Sequence, residues 1–207
     1  MPAINVITPI LGDRYYHLFN RGNNGQQVFF TEENHHYFLR QFNHFMNLYV
    51  DVLAYSLMPN HFHFLIKTKD SISFVKNNGI PSDERDGIHE TGKIISNQLR
   101  SFFITYSMAI NKQENRTGSL FSKNFKRLEI EEEDYLKYLA FYIHYNPQKH
   151  GWIGDFRNYR YSSWKAYQTQ KASALNRKLL LEIYGDLDEF LDYHSIYHEE
   201  KESFLCE

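Results

Sequence analysis

At 207 residues the chain is long enough for one domain, with or without appendages. Its formal charge of −2 counts against a globally basic nucleic-acid coat and leaves a local basic groove as the way to hold a polyanion. It is 42% hydrophobic with 17 Phe and 16 Tyr, so a sizeable core is expected, and the surplus rings could stack on bases. The one cysteine, Cys206, permits no intramolecular disulfide and fits a reducing, cytoplasmic setting. The chain has no run of about 18 apolar residues and no basic-then-apolar N-terminus. Neither a membrane span nor a secretory signal is expected.

Residues 14–20 are rich in strand formers and stop at the turn signal Arg21-Gly22-Asn23-Asn24-Gly25. Thr31 can cap a helix, with Asn34 three residues on and Glu32 and Glu33 in the first turn. Phe38, Phe42, Phe45 and Met46 then recur at helical spacing. Residues 49–57 read as a second strand and 61–68 as a third, joined by the short Met58-Pro59-Asn60 turn into a hairpin. Residues 69–92 are polar and predict a mobile excursion. A helix is predicted over about 92–112, with Ile95, Leu99, Phe102, Phe103, Tyr106 and Ile110 as its buried stripe. Thr117-Gly118-Ser119 punctuates, and 123–130 read as a fourth strand. Glu131 to Asp134 open a helix whose stripe is Leu136, Leu139, Ala140 and Ile143, and Pro147 limits its C-terminal end. Beyond 155, Leu179 to Tyr184 suggest one helix and 190–202 another.

The order of the first six elements is the split βαβ, ferredoxin-like plan of an α+β domain. It predicts a four-stranded antiparallel sheet with helices on one face, plus extra C-terminal helices. The other face is then open, and this plan often offers that face to nucleic acid. The core is expected over 1–155, with 156–207 as a helical extension of the same domain.

The chemistry starts at Met58-Pro59-Asn60-His61-Phe62-His63-Phe64-Leu65. Side chains alternate along a strand, so His61 and His63 share one face, with Cβ atoms about 6–7 Å apart. Two neutral imidazoles that close can bind one divalent metal, although two half-buried histidines would leave the same pattern. Tyr142 and Asn146 lie one turn apart on one face of the last core helix. Packed beside the third strand, that helix would aim a phenol and a carboxamide at the same spot. A tyrosine oxygen can attack a phosphodiester and form a covalent phosphotyrosine. A divalent ion, Mg²⁺ or Mn²⁺, would neutralise the phosphate while keeping coordination positions open. The stored bond makes strand breakage reversible without ATP, which suits strand transfer better than hydrolysis. Packing alone, and a helix-ending Asn before Pro147, are the plainer roles for Tyr142 and Asn146.

Four stretches together resemble a known family. They are Tyr16 to Asn23, Leu57 to Leu65, Gly118 to Phe121 followed by Phe125-Lys126, and Tyr142 to Pro147 followed by Tyr161-Ser162-Ser163-Trp164. The chain resembles the single-tyrosine HUH transposases, in particular the REP-associated tyrosine transposase branch. The resemblance implies His61 and His63 as metal ligands, Tyr142 as nucleophile and Asn146 as the third polar group near the metal. It implies action on single-stranded DNA beside hairpins, leaving a 5′-phosphotyrosine and a free 3′-OH. It also implies DNA contacts by Arg21 and Asn23, for which a plain turn is the alternative. The sequence leaves open whether the catalytic helix serves its own chain or a partner's in a homodimer.

There are departures from the family pattern. The polar stretch from Asp70 to Glu90 is long, Phe141 stands where an arginine is usual before the nucleophile, and Gln148-Lys149-His150 follows Pro147. With a near-neutral chain, DNA is expected to be gripped by a patch of Arg116, Lys123, Lys126 and Arg127, or else these line an ordinary solvated strand edge. A domesticated DNA-binding module without chemistry is the alternative function. A His-x-His zinc hydrolase would need a further ligand, for which His144 is poorly placed. The His194 and His198 pair reads better as one face of an exposed terminal helix.

Overall fold

The computed structural model describes residues 8–69, 84–169 and 171–205. Strands β1 (Tyr15–Arg21), β2 (Val50–Met58), β3 (His61–Thr68) and β4 (Lys126–Ile130) form one sheet in the order β2-β3-β1-β4. All three pairings are antiparallel. Helices α1 (Glu32–Met46) and α2 (Glu84–Gln113) are inserted between strands, which is the ferredoxin-like α+β plan. After β4 come α3 (Glu133–Lys149), α4 (Trp164–Tyr167), α5 (Arg177–Tyr184) and α6 (Leu187–Leu205).

Strand alternation sorts the core into two clusters. Tyr16, Leu18, Phe62, Phe64 and Ile66 face α1 and α2, joining Phe38, Phe42, Leu99, Phe102 and Tyr106. Phe42 stacks on Phe64 with ring centroids 4.4 Å apart, at the centre of this cluster. The start of α1 is held as its sequence suggests, since the Asn34 Oδ1 accepts from the Thr31 N–H at 3.1 Å. The same side chain donates to Gln113 Oε1 at 2.9 Å, tying α1 to the end of α2.

The second face is not open. Leu53, Ala54, Leu65 and Ile130 pack against Leu136, Leu139, Ala140 and Ile143 of α3, which is in turn covered by Phe156, Trp164, Leu180 and Phe190. The C-terminal extension thus shares a core with α3. A helix whose Phe141, His144 and Tyr145 lie outside its sheet-facing stripe needs cover on that side too.

Two boundaries and the burial of one histidine also differ from the sequence reading. Helix α2 begins at Glu84, not near 92, so it takes in part of the expected excursion, whose residues 70–83 lie outside the described residues. Gly92 is inside this helix for contact, since a Cβ there would come within 2.1 Å of the Ile10 carbonyl oxygen. Pro147 does not end α3, which runs on to Lys149 and closes with His150 N–H donating to Asn146 O at 3.0 Å. The hydrogen bond Pro147 removes is outweighed by burial of the whole Leu139–Pro147 turn except Tyr142. Finally, His194 is buried at 1% exposure, so α6 is docked by that residue and does not present it on an exposed face.

Candidate active site

The β1–β3 register sets His63 opposite Phe19 and His61 opposite Arg21. These four side chains, with Lys126 of β4, share the α3-facing side of the sheet. There they line a cleft of about 460 Å³ together with Asn20, Asn60, Ser122, Tyr142, His150 and Trp152. His61 and His63 have ring centroids 5.4 Å apart, and the Tyr142 ring meets His63 edge-on at 6.1 Å. In the run Leu139–Pro147 every residue is buried except Tyr142. The one unsealed position of the turn is the one that faces the histidines. Tyr142 therefore lies in the cleft and not in the interior, and α3 brings it to the histidines of its own chain.

Each histidine has its Nδ1 engaged. His61 Nδ1 lies 2.6 Å from Asn60 Oδ1, and the Asn60 amide is oriented by Nδ2 donating to Gly25 O at 3.4 Å. A carboxamide oxygen only accepts, so His61 carries its proton on Nδ1 and keeps a lone pair on Nε2. His63 Nδ1 lies 2.8 Å from Nε2 of His17, whose ring also stacks on Phe19. Burial holds the pKa of His61 down to about 4, with a smaller push from His150, and drives that of His63 well below the ordinary imidazole range. Both are neutral at pH 7, the form that binds metal.

Asn146, one turn beyond Tyr142, is fully buried, and neither its Oδ1 nor its Nδ2 has a hydrogen-bond partner. It lies against His61 closely enough to favour that ring's charged form. An unpaired buried amide costs about 1–3 kcal/mol. Two neutral imidazoles beside an orphaned amide oxygen are a donor set that fits a divalent cation. Among the described residues no group of three or more His, Cys, Asp or Glu could hold a metal, which leaves no zinc-hydrolase ligand set.

The basic patch is divided between two places. Lys126 lines the cleft, with its ammonium 5.7 Å over the Phe19 ring. Lys123 and Arg127 instead line a second groove of about 790 Å³, beside Arg100, Phe103 and Phe125. The reason is the two-residue period of β4, which turns 126 and 127 to opposite faces. Arg127 is further tied by Nε to Thr8 O at 2.6 Å. Arg116 bonds Asn111 and Gln26, and Asn23 lines neither cavity. Asn20 and Ser122 border both cavities, so the two are neighbours. None of the groove's lining residues is acidic.

Sequence reasoning assigned no role to His17, Asn60, Lys149, His150 or Trp152. His150 packs its ring 4.9 Å from His61, and the Lys149 ammonium sits 4.7 Å over the Tyr142 ring. Trp152 is 45% exposed at the cleft. Tyr142, Asn146 and His150 form an i, i+4, i+8 series, a signal visible once the helix is continued past Pro147. His17 had no such signal, because only strand pairing brings it to His63.

No family model matches the chain, and no curated protein matches it. Among solved structures it is similar to one described as the structure of a REP-associated tyrosine transposase bound to a REP hairpin. That similarity has a TM-score of 0.52 and 16% sequence identity, and covers 79% of this chain and 84% of the other. At that identity it is a statement about the fold. Among the described residues no helix is long and apolar enough to cross a membrane.

Proposed function

We propose that this chain is a metal-dependent nickase and strand transferase of the HUH single-tyrosine kind, acting on single-stranded DNA next to hairpins. The carrying observation is the cleft that gathers His61, His63 and Tyr142 from distant parts of the chain while leaving the Asn146 amide without a partner. The fold shared with a transposase solved on a DNA hairpin supports the substrate class.

His61 Nε2, His63 Nε2 and Asn146 Oδ1 would hold Mg²⁺ or Mn²⁺. When bound, such an ion neutralises phosphate charge and polarises the phosphorus. The protein's own residues do the rest. Tyr142 Oη attacks the phosphorus, the bond from phosphorus to the 3′ oxygen breaks, and a 5′-phosphotyrosine forms. The phenolic proton passes to water, and the departing 3′ oxygen takes one from water to become a hydroxyl. Attack by a 3′-OH on the phosphotyrosine reverses these steps and joins strands. Lys149 and Lys126 supply positive charge beside the phenol and the phosphate path. Trp152, exposed at the rim, is a surface on which a splayed base can stack, worth about 1–3 kcal/mol. The neighbouring groove of Arg100, Lys123 and Arg127 extends the positive track away from the cleft.

The test uses a labelled hairpin oligonucleotide with a single-stranded flank, in Mn²⁺ or Mg²⁺, and denaturing gels. The chain should form a denaturation-resistant adduct that Tyr142→Phe abolishes while binding persists. His61→Ala and His63→Ala should each remove cleavage. Binding without any adduct from the unaltered chain would instead establish a non-catalytic DNA-binding module.

A further inference from the structure

We infer that His17, one strand away from the histidine pair, is a positioning residue that sets the tautomer of His63 and so readies its Nε2 for the metal. This rests on the metal site proposed above. The two rings meet through His17 Nε2 and His63 Nδ1 at 2.8 Å, and both residues are buried. Between two neutral imidazoles, one of the facing nitrogens carries the proton and the other accepts it. If His17 donated, His63 would accept on Nδ1 and carry its own proton on Nε2, which would then have no lone pair for a cation. If His17 accepts, His63 is protonated on Nδ1 and its Nε2 is free.

The second arrangement matches His61, whose proton is fixed on Nδ1 by the Asn60 carboxamide oxygen. Metal-bound histidines commonly donate their other N–H to a carboxylate, a carbonyl or water, and loss of that partner weakens metal binding about 10–100-fold. Here an imidazole fills the acceptor role. It comes from the central strand β1, and its ring packs in a mutually stacked cluster with Phe19 at 4.5 Å and His63 at 5.0 Å. The acceptor is therefore held by sheet register and stacking, not by a flexible surface side chain. His17 touches neither DNA nor the reacting atoms in this scheme; it acts through His63.

Two variants separate this role from packing. His17→Phe keeps a ring to stack on Phe19 but removes the acceptor. His17→Gln keeps an acceptor oxygen near the position of Nε2. Mn²⁺ affinity is measured on each folded, DNA-free protein by calorimetry, with long-range ¹H–¹⁵N spectra of the metal-free unaltered chain to locate the His63 proton. The expected results are a 10–100-fold weaker Mn²⁺ affinity for His17→Phe, recovery to within a few-fold for His17→Gln, and a His63 proton on Nδ1. Unchanged affinity in His17→Phe, or Gln no better than Phe, overturns the proposal. If His17→Phe does not fold, the spectra decide, and a His63 proton on Nε2 overturns it. An unaltered chain that binds no Mn²⁺, or binds it equally well after His61→Ala, sinks the metal site itself, a result distinct from failure of His17 alone.

Discussion

Asn146 shows how a single side chain carries the tension between stability and chemistry. Its amide is sealed in the turn behind Tyr142 with both polar atoms unpaired. Replacing such a group by an apolar one of similar shape is neutral or stabilising, because the desolvation cost disappears. Asn146→Leu is therefore expected to melt no lower than the unaltered chain in EDTA, by up to about 1–3 kcal/mol in its favour. The unaltered chain should gain melting temperature when Mn²⁺ is added, since a ligand of the folded state stabilises it by mass action, and Asn146→Leu should gain none. Thermal denaturation with and without Mn²⁺ checks both halves. A large loss of stability in EDTA would mean that the amide is structurally satisfied and not waiting for a ligand. At this scale the spacing made His61, His63, Tyr142 and Asn146 candidates, and the family resemblance is what gave each its role. It also contained the division of Lys126 from Arg127, because neighbours on a strand face opposite ways, although charge proximity suggested one patch.

Among the elements, α3 is the one on which the site depends. It is held between the sheet and the C-terminal extension, and a buried relay fastens it there. Ser163 Oγ lies 2.7 Å from His144 Nε2, His144 Nδ1 lies 3.0 Å from His194 Nε2, and His194 Nδ1 lies 2.8 Å from Phe190 O. Reading back from the carbonyl, His194 donates to Phe190, His144 donates to His194 and the Ser163 hydroxyl donates to His144. The relay thus works only with both rings neutral. Burial drives His144 well below the usual imidazole range and His194 down to about 3. Unfolded, both titrate near about 6.5, so below that pH the unfolded chain binds more protons than the folded one. Stability is then complete above about pH 6.5 and declines as pH falls, by up to about 1.4 kcal/mol per unit for each ring. Melting curves in EDTA should drop by at least about 5 °C between pH 7 and pH 5.5. A flat profile would show that α6 is not docked through His194. The sequence identified α3 by its Leu136, Leu139, Ala140 and Ile143 stripe. It did not show that Pro147 could be absorbed or that His194 was an anchor, since both follow from packing between segments about 50 residues apart.

For the molecule as a whole, a chain of charge −2 places five of its 23 lysines and arginines around the cleft and the groove. Lys126 and Arg21 lie on the α3 side, Lys123, Arg127 and Arg100 on the α2 side, with Asn20 and Ser122 between. A strand that runs from the cleft into the groove would contact both. Binding should then weaken with salt, and Arg100→Ala with Lys123→Ala should reduce the slope of log K against log salt by about 0.7 per cation for single-stranded DNA. At saturating DNA the same pair of changes should leave adduct formation near its unaltered rate, because neither residue lines the cleft. An unchanged slope in fluorescence titrations would remove the groove from the DNA path.

What the sequence determined by itself is local. Alternation along β3 and the capping at Thr31 place those elements within a residue of where they stand, and the spacing of 61/63 and 142/146 assigns each pair to a face. The order of elements was enough to specify a ferredoxin-like sheet, because few topologies accommodate it. Tertiary structure alone decided that the second face is covered, that α2 begins at Glu84 and that His17 meets His63. Each of these depends on which segments touch across long separations. Side-chain periodicity records the face a residue takes, but it carries no record of the partner packed against that face.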